Sequence, residues 1–442
     1  MTSEKTTNRT MLRVILALSL PSIVTNITTP LLGMTDVAIA GHMGSAVYIG
    51  AIAVGSNMFN MLYWLLGFLR MGSSGMTAQA YGAGDRAAQS LVLARSLLLA
   101  VGIGLVFVVF QRPLCRLLLI VMDVNGATAT LCRDYFYIFV WGAPASLGSY
   151  ALTGWLLGMQ NTRVTMWVSL IINLVNISVS LAMVYWLGMG ISGLAIGSLT
   201  AQWVGMLTVL GYIVMHFRPQ IPRLKEVISG EGLSRYFRVN SDIFLRTVCL
   251  VGVTVWFTRV GASQGAVMLA VNALLMQLFT MFSYFMDGFA FAGEAVCGRL
   301  KGAGDRDGFK RAVRVLFSTS GSMAMIFTLL YILCGDGLLR LLSNDITVIR
   351  ASADYFWWAV SIPLAGFIAF TADGICIGVT RTRLMLISVA IASTVYFAVY
   401  ITAFPTLHNH GLWLAFVAYL VVRGVVLVIG LRGEGYSPFS AR

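Results

Sequence analysis

Gly82-Ala83-Gly84-Asp85-Arg86 returns as Gly302-Ala303-Gly304-Asp305-Arg306, at an offset of 220 residues. Gly154-Trp155-Leu156-Leu157-Gly158, followed by Thr162-Arg163, returns at the same offset as Gly374-Ile375-Cys376-Ile377-Gly378, followed by Thr382-Arg383. Two separate matches at one spacing make the chain an internal duplication. Each Gly-Ala-Gly-Asp reads as a turn, and what surrounds it is apolar. The chain is 58% hydrophobic and 11% charged, with a mean hydropathy of +0.84, which excludes an ordinary soluble domain. A spanning helix needs roughly 20 apolar residues. Twelve such stretches are expected, near 14–40, 47–80, 91–110, 135–158, 164–186, 190–216, 240–258, 266–297, 312–334, 352–378, 384–403 and 411–431. Six spans separate equivalent points, so both copies insert the same way up, about a pseudo-twofold axis along the membrane normal. The expected fold is therefore all-α and transmembrane, with two six-helix lobes at residues 1–216 and 240–442. A basic cytoplasmic linker, 217–239, joins them and is expected to hold a short amphipathic interfacial helix.

The net charge of +13 invites a nucleic-acid partner, but its placement explains it otherwise. With the N-terminus inside, twenty Lys and Arg residues fall on the cytoplasmic side, from Lys5, Arg9 and Arg13 to Arg432 and Arg442. Six fall outside: Arg112, Arg116, Arg133, Arg259, Arg340 and Arg350. Arg70, Arg95, Arg246 and Arg423 lie within spans. This is the positive-inside bias of a multi-pass membrane protein with both termini in the cytoplasm, and it calls for no nucleic acid. The basic start followed by an apolar run resembles a signal peptide, yet Pro21, Asn26 and Pro30 interrupt it, so an uncleaved first helix is expected.

That first helix carries PSIVTNITTPLLGMTDVAIAG, Pro21–Gly41, with one acid, Asp36, deep in an apolar run. A carboxylate in lipid is costly, so an intramembrane acid ordinarily faces a bundle interior or a watery cavity. Asp36 is read either as a proton- or cation-binding group on a transport path or as a cap near the helix end. Arg70 is equally unusual for its depth; it snorkels to the inner interface or has a countercharge, for which Asp287 and Asp373 are the candidates. Asn57 and Asn60 lie one turn apart on helix two, as cavity donors or as interhelical glue. Asn173, Asn176 and Ser180 form one polar stripe on helix five, and Ser198, Thr200 and Gln202 on helix six are weaker signals. In the second half Asp287 and Glu294 share a face of helix eight, and Asp373 precedes Gly374 on helix ten. Glu294 is read as a partner of Arg299 or a cytoplasmic helix cap. Two polar pockets are expected, one per lobe, with the acids of the second shaping a cavity or forming another cation site. The six cysteines have no metal-ligand spacing, and no metal or cofactor site is expected; Cys115 and Cys132 flank one outer loop, which leaves a disulfide open.

These motifs resemble those of the multidrug and toxic compound extrusion (MATE) family, and within it the DNA-damage-inducible F branch. The carriers are Thr-Asp-Val-Ala-Ile-Ala-Gly-His-Met-Gly around Asp36, Phe68–Asp85 in helix two, Met286–Asp305 in helix eight and Ala372–Arg383 in helix ten. They span nearly the whole chain. The resemblance implies twelve helices arranged as a V, and export of cationic or amphipathic compounds in exchange for H⁺ or Na⁺ from a bacterial inner membrane. Small molecules and membrane lipids are its implied partners, with the chain acting as a monomer. It further implies that Asp36 belongs to the coupling site, that Pro21 marks the bend of helix one, and that Asn176 is a polar partner on helix five. Where the family pattern has a second acid, this chain has Ser180, leaving Asp36 as the only acid of the first-half site.

On this reading transport is alternating access with competition at one carboxylate. Desolvation disfavours the charged form of a buried carboxyl, and a proton neutralising Asp36 weakens its hold on a cation. The methionines, 22 in number, suit ligands of variable shape, although most are packing residues. Among rivals, a lipid-linked precursor flippase of the same superfamily should show more cationic residues in its cavity. A zinc-dependent intramembrane enzyme lacks its His-Glu-x-x-His, and an ATP pump lacks the Gly-Lys of a phosphate-binding loop.

Overall fold

The computed structural model describes residues 7–43, 46–229 and 231–432, and among them the chain is helical with no strand. Lys5 and Arg442, used above for the charge bias, lie outside the described residues. The chain divides into two compact units, Pro21–Asn240 and Met1–Leu20 with Ser241–Arg442. The first unit follows α1 (Asn8–Gly41) from Pro21 onward. It continues through α2 (Ala46–Leu65), α3 (Phe68–Gly82), α4 (Arg86–Val109), α5 (Gln111–Val121), α6 (Gly126–Phe139), α7 (Ala143–Gly158), α8 (Thr162–Leu181), α9 (Gly190–Phe217) and α10 (Leu224–Ile228). The second holds most of α11 (Glu231–Ser263) and then α12 (Ala266–Gly302), α13 (Arg306–Leu342), α14 (Ile346–Gly378), α15 (Thr382–Leu407) and α16 (Asn409–Arg432).

Eleven runs among the described residues are long and apolar enough to cross a membrane, α2 and α3 counting as one. The stretch expected at 135–158 is missing from that number for a local reason. A 3₁₀ turn at Val140–Gly142 separates α6 from α7, just ahead of Pro144 in the first turn of α7. Proline is accommodated there, where its missing N–H is not needed, and neither half reaches spanning length alone.

The duplication is visible in the backbone. Gly84 and Gly304 both take left-handed conformations, with φ of +72° and +70°, open to glycine without a Cβ penalty. The next residue caps the following helix in each copy: Asp85 accepts from the Ala88 N–H at 2.9 Å and Asp305 from the Gly308 N–H at 2.8 Å. Gln160 and Thr380, again 220 apart, both have positive φ after the Gly-x-x-x-Gly helix. The glycines of that motif explain its recurrence. A Cβ on Gly154 would collide with the carbonyl oxygen of Arg70, and one on Gly374 with that of Ala290. One turn on, a Cβ on Gly158 would lie 2.7 Å from the Ser74 oxygen, and one on Gly378 2.5 Å from the Glu294 oxygen. Thus α3 meets α7 as α12 meets α14, backbone on backbone. In lipid, burying apolar surface does not by itself favour helix association, so such close approaches and interhelical hydrogen bonds supply it.

Around these seams the cores differ. The first unit packs Trp155 against Phe217, with the Trp155 indole donating to the Gln89 carbonyl at 2.9 Å. The second has a larger aromatic core including Phe282, Phe327, Tyr331, Trp413 and Phe416. Its α14 is the most buried of the eleven runs. The segment after α9 is held to the first unit: the Arg95 guanidinium donates to the carbonyls of Val227, Glu226 and Ser229 at 2.9–3.1 Å. Tyr236 adds a hydrogen bond to Ser96 at 3.2 Å. The intramembrane Arg95 of the sequence therefore satisfies itself on backbone oxygens.

Candidate functional site

α1 continues as helix through both Pro21 and Pro30 to Gly41, and Asp36 sits inside it with 2% of its surface exposed. It is no terminal cap. The Ser198 hydroxyl of α9 donates to Asp36 Oδ2 at 2.9 Å, and Asn176 of α8 donates through Nδ2 to Ser198 Oγ at 2.8 Å. The buried Tyr135 of α6 stands in the charge environment of Asp36, near Ser198 and Ser56. Asp36 Oδ1, Asn176 Oδ1 and Ser180 Oγ are buried without a hydrogen-bond partner. Buried polar atoms are nearly always satisfied, yet the Asp36 carboxyl and Asn176, linked to it through Ser198, each keep an acceptor oxygen without a partner.

The expected stripe on α8 divides on folding. Asn176 joins Asp36. Asn173 instead donates to the Thr28 carbonyl of α1 at 3.1 Å, with Thr28 Oγ1 3.0 Å from Ser169 Oγ. Ser180 lies against Gly197 so closely that a Cβ there would strike its hydroxyl. Asn57 does not join the cluster. Its neighbours Met58 and Phe59 are buried, Phe59 among Tyr135, Phe136 and Phe139, which turns Asn57 and Asn60 to the exposed face of α2. Ser198, a weak signal in sequence, is the residue that touches Asp36. Tyr135 was missed, since one more aromatic among 16 tyrosines carries no mark of its own.

The second half holds a site of opposite character. Asp373 of α14 is buried and accepts from Arg246 Nη2 of α11 at 2.5 Å; Arg423 of α16 pairs with the same carboxylate oxygen. The Arg423 guanidinium also lies over the Phe370 ring, 5.8 Å from its centroid. Asp287 and Glu294 of α12 stand in the charge environment of Arg246, and Asp287 in that of Arg423 as well. Two arginines of its own unit thus supply countercharge to Asp373. Arg70 sits half-buried on α3, its backbone against Gly154 and its charge near Tyr150. Glu294 is not a helix cap, because α12 runs on for eight residues to Gly302 and buries the side chain. Both guanidinium groups lie on Asp373 Oδ2, while Oδ1 is buried without a hydrogen-bond partner. Arg246 and Arg423 were visible as intramembrane arginines; their common partner was not, because 127 positions separate Arg246 from Asp373.

Cys115 and Cys132 are both free thiols. Cys132 donates to the Ala51 carbonyl at 3.3 Å, so no disulfide closes that loop.

The family model described as MatE matches residues 21–182 and 243–401, one block in each half. The chain belongs to the MatE family. This MatE protein is 37% identical over 419 residues to DNA damage-inducible protein F of Escherichia coli K12, covering 93% of the chain and 90% of the relative. It is 23% identical over 446 residues to a probable multidrug resistance protein NorM of Rhizobium meliloti, covering 95% and 92%. Among solved structures, a MATE protein in the bent conformation superposes with a TM-score of 0.86 at 19% identity, over 97% of this chain and 98% of that one. The Vibrio cholerae MATE transporter VcmN in the bent form gives 0.86 at 15% identity, over 97% and 99%. The fold of this MatE protein is thus that of MATE transporters.

Proposed function

We propose that this protein is a secondary active multidrug exporter of a bacterial inner membrane, with both termini cytoplasmic. It exchanges cationic or amphipathic compounds for H⁺ or Na⁺ by alternating access, and Asp36 is the coupling carboxylate. The observation that carries the reading is Asp36 itself, buried inside a membrane-length helix with one oxygen held by Ser198 and the other open. An acid at such a place is ordinarily functional. A ligand shifts a conformational equilibrium only by its differential affinity for the states. Proton and cation must therefore compete for Asp36, and Ser198 and Asn176 orient the carboxyl for that exchange. Pro21 is the bending point of α1: it lacks the N–H that would close the helical ladder, and the division between compact units falls between Leu20 and Pro21. Residues 1–216 and 240–442 act as the moving lobes, and 217–239 as the cytoplasmic linker.

The flippase alternative expects surplus positive charge in the interior. In the second half, Arg246 and Arg423 are matched by Asp373, Asp287 and Glu294, which favours the exporter. The test is transport by the purified chain in proteoliposomes, with pH and Na⁺ gradients imposed separately. Uphill efflux driven by one gradient and collapsed when that gradient is dissipated is the expected result. Downhill flux indifferent to both gradients contradicts it.

A further inference from the structure

Three of the six arginines assigned to the outer side, Arg112, Arg116 and Arg133, line one cavity of 610 Å³ between α5 and α6. Positive charge is ordinarily scarce on this side, so such a cluster runs against the bias of the rest of the chain. All three side chains are exposed, and none has a hydrogen bond or ion pair among the described residues. Asp123 also lines it, so the cavity carries two net positive charges.

The helix that forms one wall carries both cationic and apolar surface. Arg112 and Arg116, one turn apart, face the cavity, and Leu118 and Leu119 are buried. Leu117, Ile120 and Val121, spaced as one stripe, are each more than half exposed, Ile120 also lining the cavity, and Phe110 just before the helix is exposed as well. With 11 residues α5 is too short to span. An apolar stripe beside a cationic edge is the pattern of a helix lying in the membrane interface. The guanidinium fork matches phosphate oxygens two at a time, which an ammonium does not.

We propose that this cavity binds the headgroup of an anionic phospholipid of the outer leaflet. Arg112, Arg116 and Arg133 hold the phosphate, and the acyl chains lie along the exposed stripe of α5. The assignment to a leaflet rests on the orientation proposed above; the binding does not.

Native mass spectrometry of the full chain in neutral detergent, titrated with phosphatidylglycerol or with phosphatidylcholine, counts bound lipid directly. Phosphatidylglycerol is expected to be retained at least about tenfold better, equivalent to about 1.4 kcal/mol. The triple variant R112Q/R116Q/R133Q loses that preference, while R340Q/R350Q, which removes two other outer arginines, keeps it. Equal retention of both lipids by the wild type, or an intact preference in the triple variant, overturns the proposal. Single variants R112Q, R116Q and R133Q serve if the triple variant does not fold, and each is expected to weaken retention; three unchanged values refute the site. Excess inorganic phosphate should leave the bound lipid in place, and its displacement would mark a soluble-anion site instead. Lipid counting involves no transport, so its outcome and that of the efflux assay stand apart.

Discussion

In the first half of the molecule a lone carboxyl, Asp36, meets only hydroxyl and amide groups; in the second, Asp373 is clasped by Arg246 and Arg423 with Asp287 and Glu294 nearby. The scaffolds beneath them share the same turn, the same helix cap and the same glycine seam, 220 residues apart. At that offset Asp373 corresponds to Thr153, Glu294 to Ser74, Asp287 to Gly67 and Arg246 to Asn26, while Asp36 corresponds to Trp256. The difference teaches which residues a duplicated fold constrains. A glycine pressed on a facing carbonyl admits no Cβ in either copy. The side chains that project from the seam meet no such limit, and each half has acquired its own electrostatics. An isolated buried carboxyl can exchange its counterion; one bonded to two fixed guanidinium groups cannot do so without leaving both uncompensated.

The strongest way to break this comparison is Asp36→Asn, which keeps the shape and removes the titratable charge. Gradient-driven efflux is expected to fall at least about a hundredfold, or about 2.7 kcal/mol, with folding retained. Wild-type rates in this variant would place coupling elsewhere. Next comes Asp373→Asn. Removing one partner of a buried ion pair costs about 3–5 kcal/mol, because Arg246 and Arg423 are left buried. Thermal unfolding in detergent should show a large loss of stability, while whatever transport survives keeps its pH profile. A shifted profile with unchanged stability would mean that the two halves have been assigned the wrong way round.

The scaffold likeness is tested by Gly158→Ala and Gly378→Ala. Each forces a methyl against a carbonyl oxygen at 2.7 and 2.5 Å, and overpacking of this kind costs about 1–3 kcal/mol. Similar losses are expected from both, and tolerance of one alone would show that the seams are not equivalent. Ser198→Ala is subtler. It removes the one donor bonded to Asp36 Oδ2 at a cost of about 1–3 kcal/mol, and transport should slow with a displaced pH profile. An unaltered profile would detach Ser198 from coupling. The smallest effect is reserved for Asn57→Ala, an exposed position where stability should change by under about 0.5 kcal/mol, read by the same unfolding assay.

Much of this was legible before any coordinates. Hydropathy and length disclosed the spans, because a bilayer demands about 20 apolar residues in a row whatever their neighbours are. The repeated Gly-Ala-Gly-Asp-Arg and Gly-x-x-x-Gly motifs disclosed the duplication, because left-handed turns, caps and close seams each need particular residues at particular places. Asp36 stood out by its cost in an apolar helix. The family resemblance implied its role, and the MatE match covers both halves.

What the sequence by itself determined, then, was everything governed by local chemistry: helix, turn, cap, span and the presence of unusual charges. Only the tertiary structure decided which of those charges meet. It set Ser198 on Asp36 across 162 residues and Arg246 on Asp373 across 127. It sent Asn173 to the α1 backbone rather than to the acid, and gathered Arg112, Arg116 and Arg133 around one cavity. Periodicity tells which residues share a face of one helix, but pairing between helices depends on how those faces are rotated and how deep they lie. That is settled by steric fit at seams such as Gly154 on Arg70 and Gly374 on Ala290, a property of two distant segments at once that neither segment carries alone.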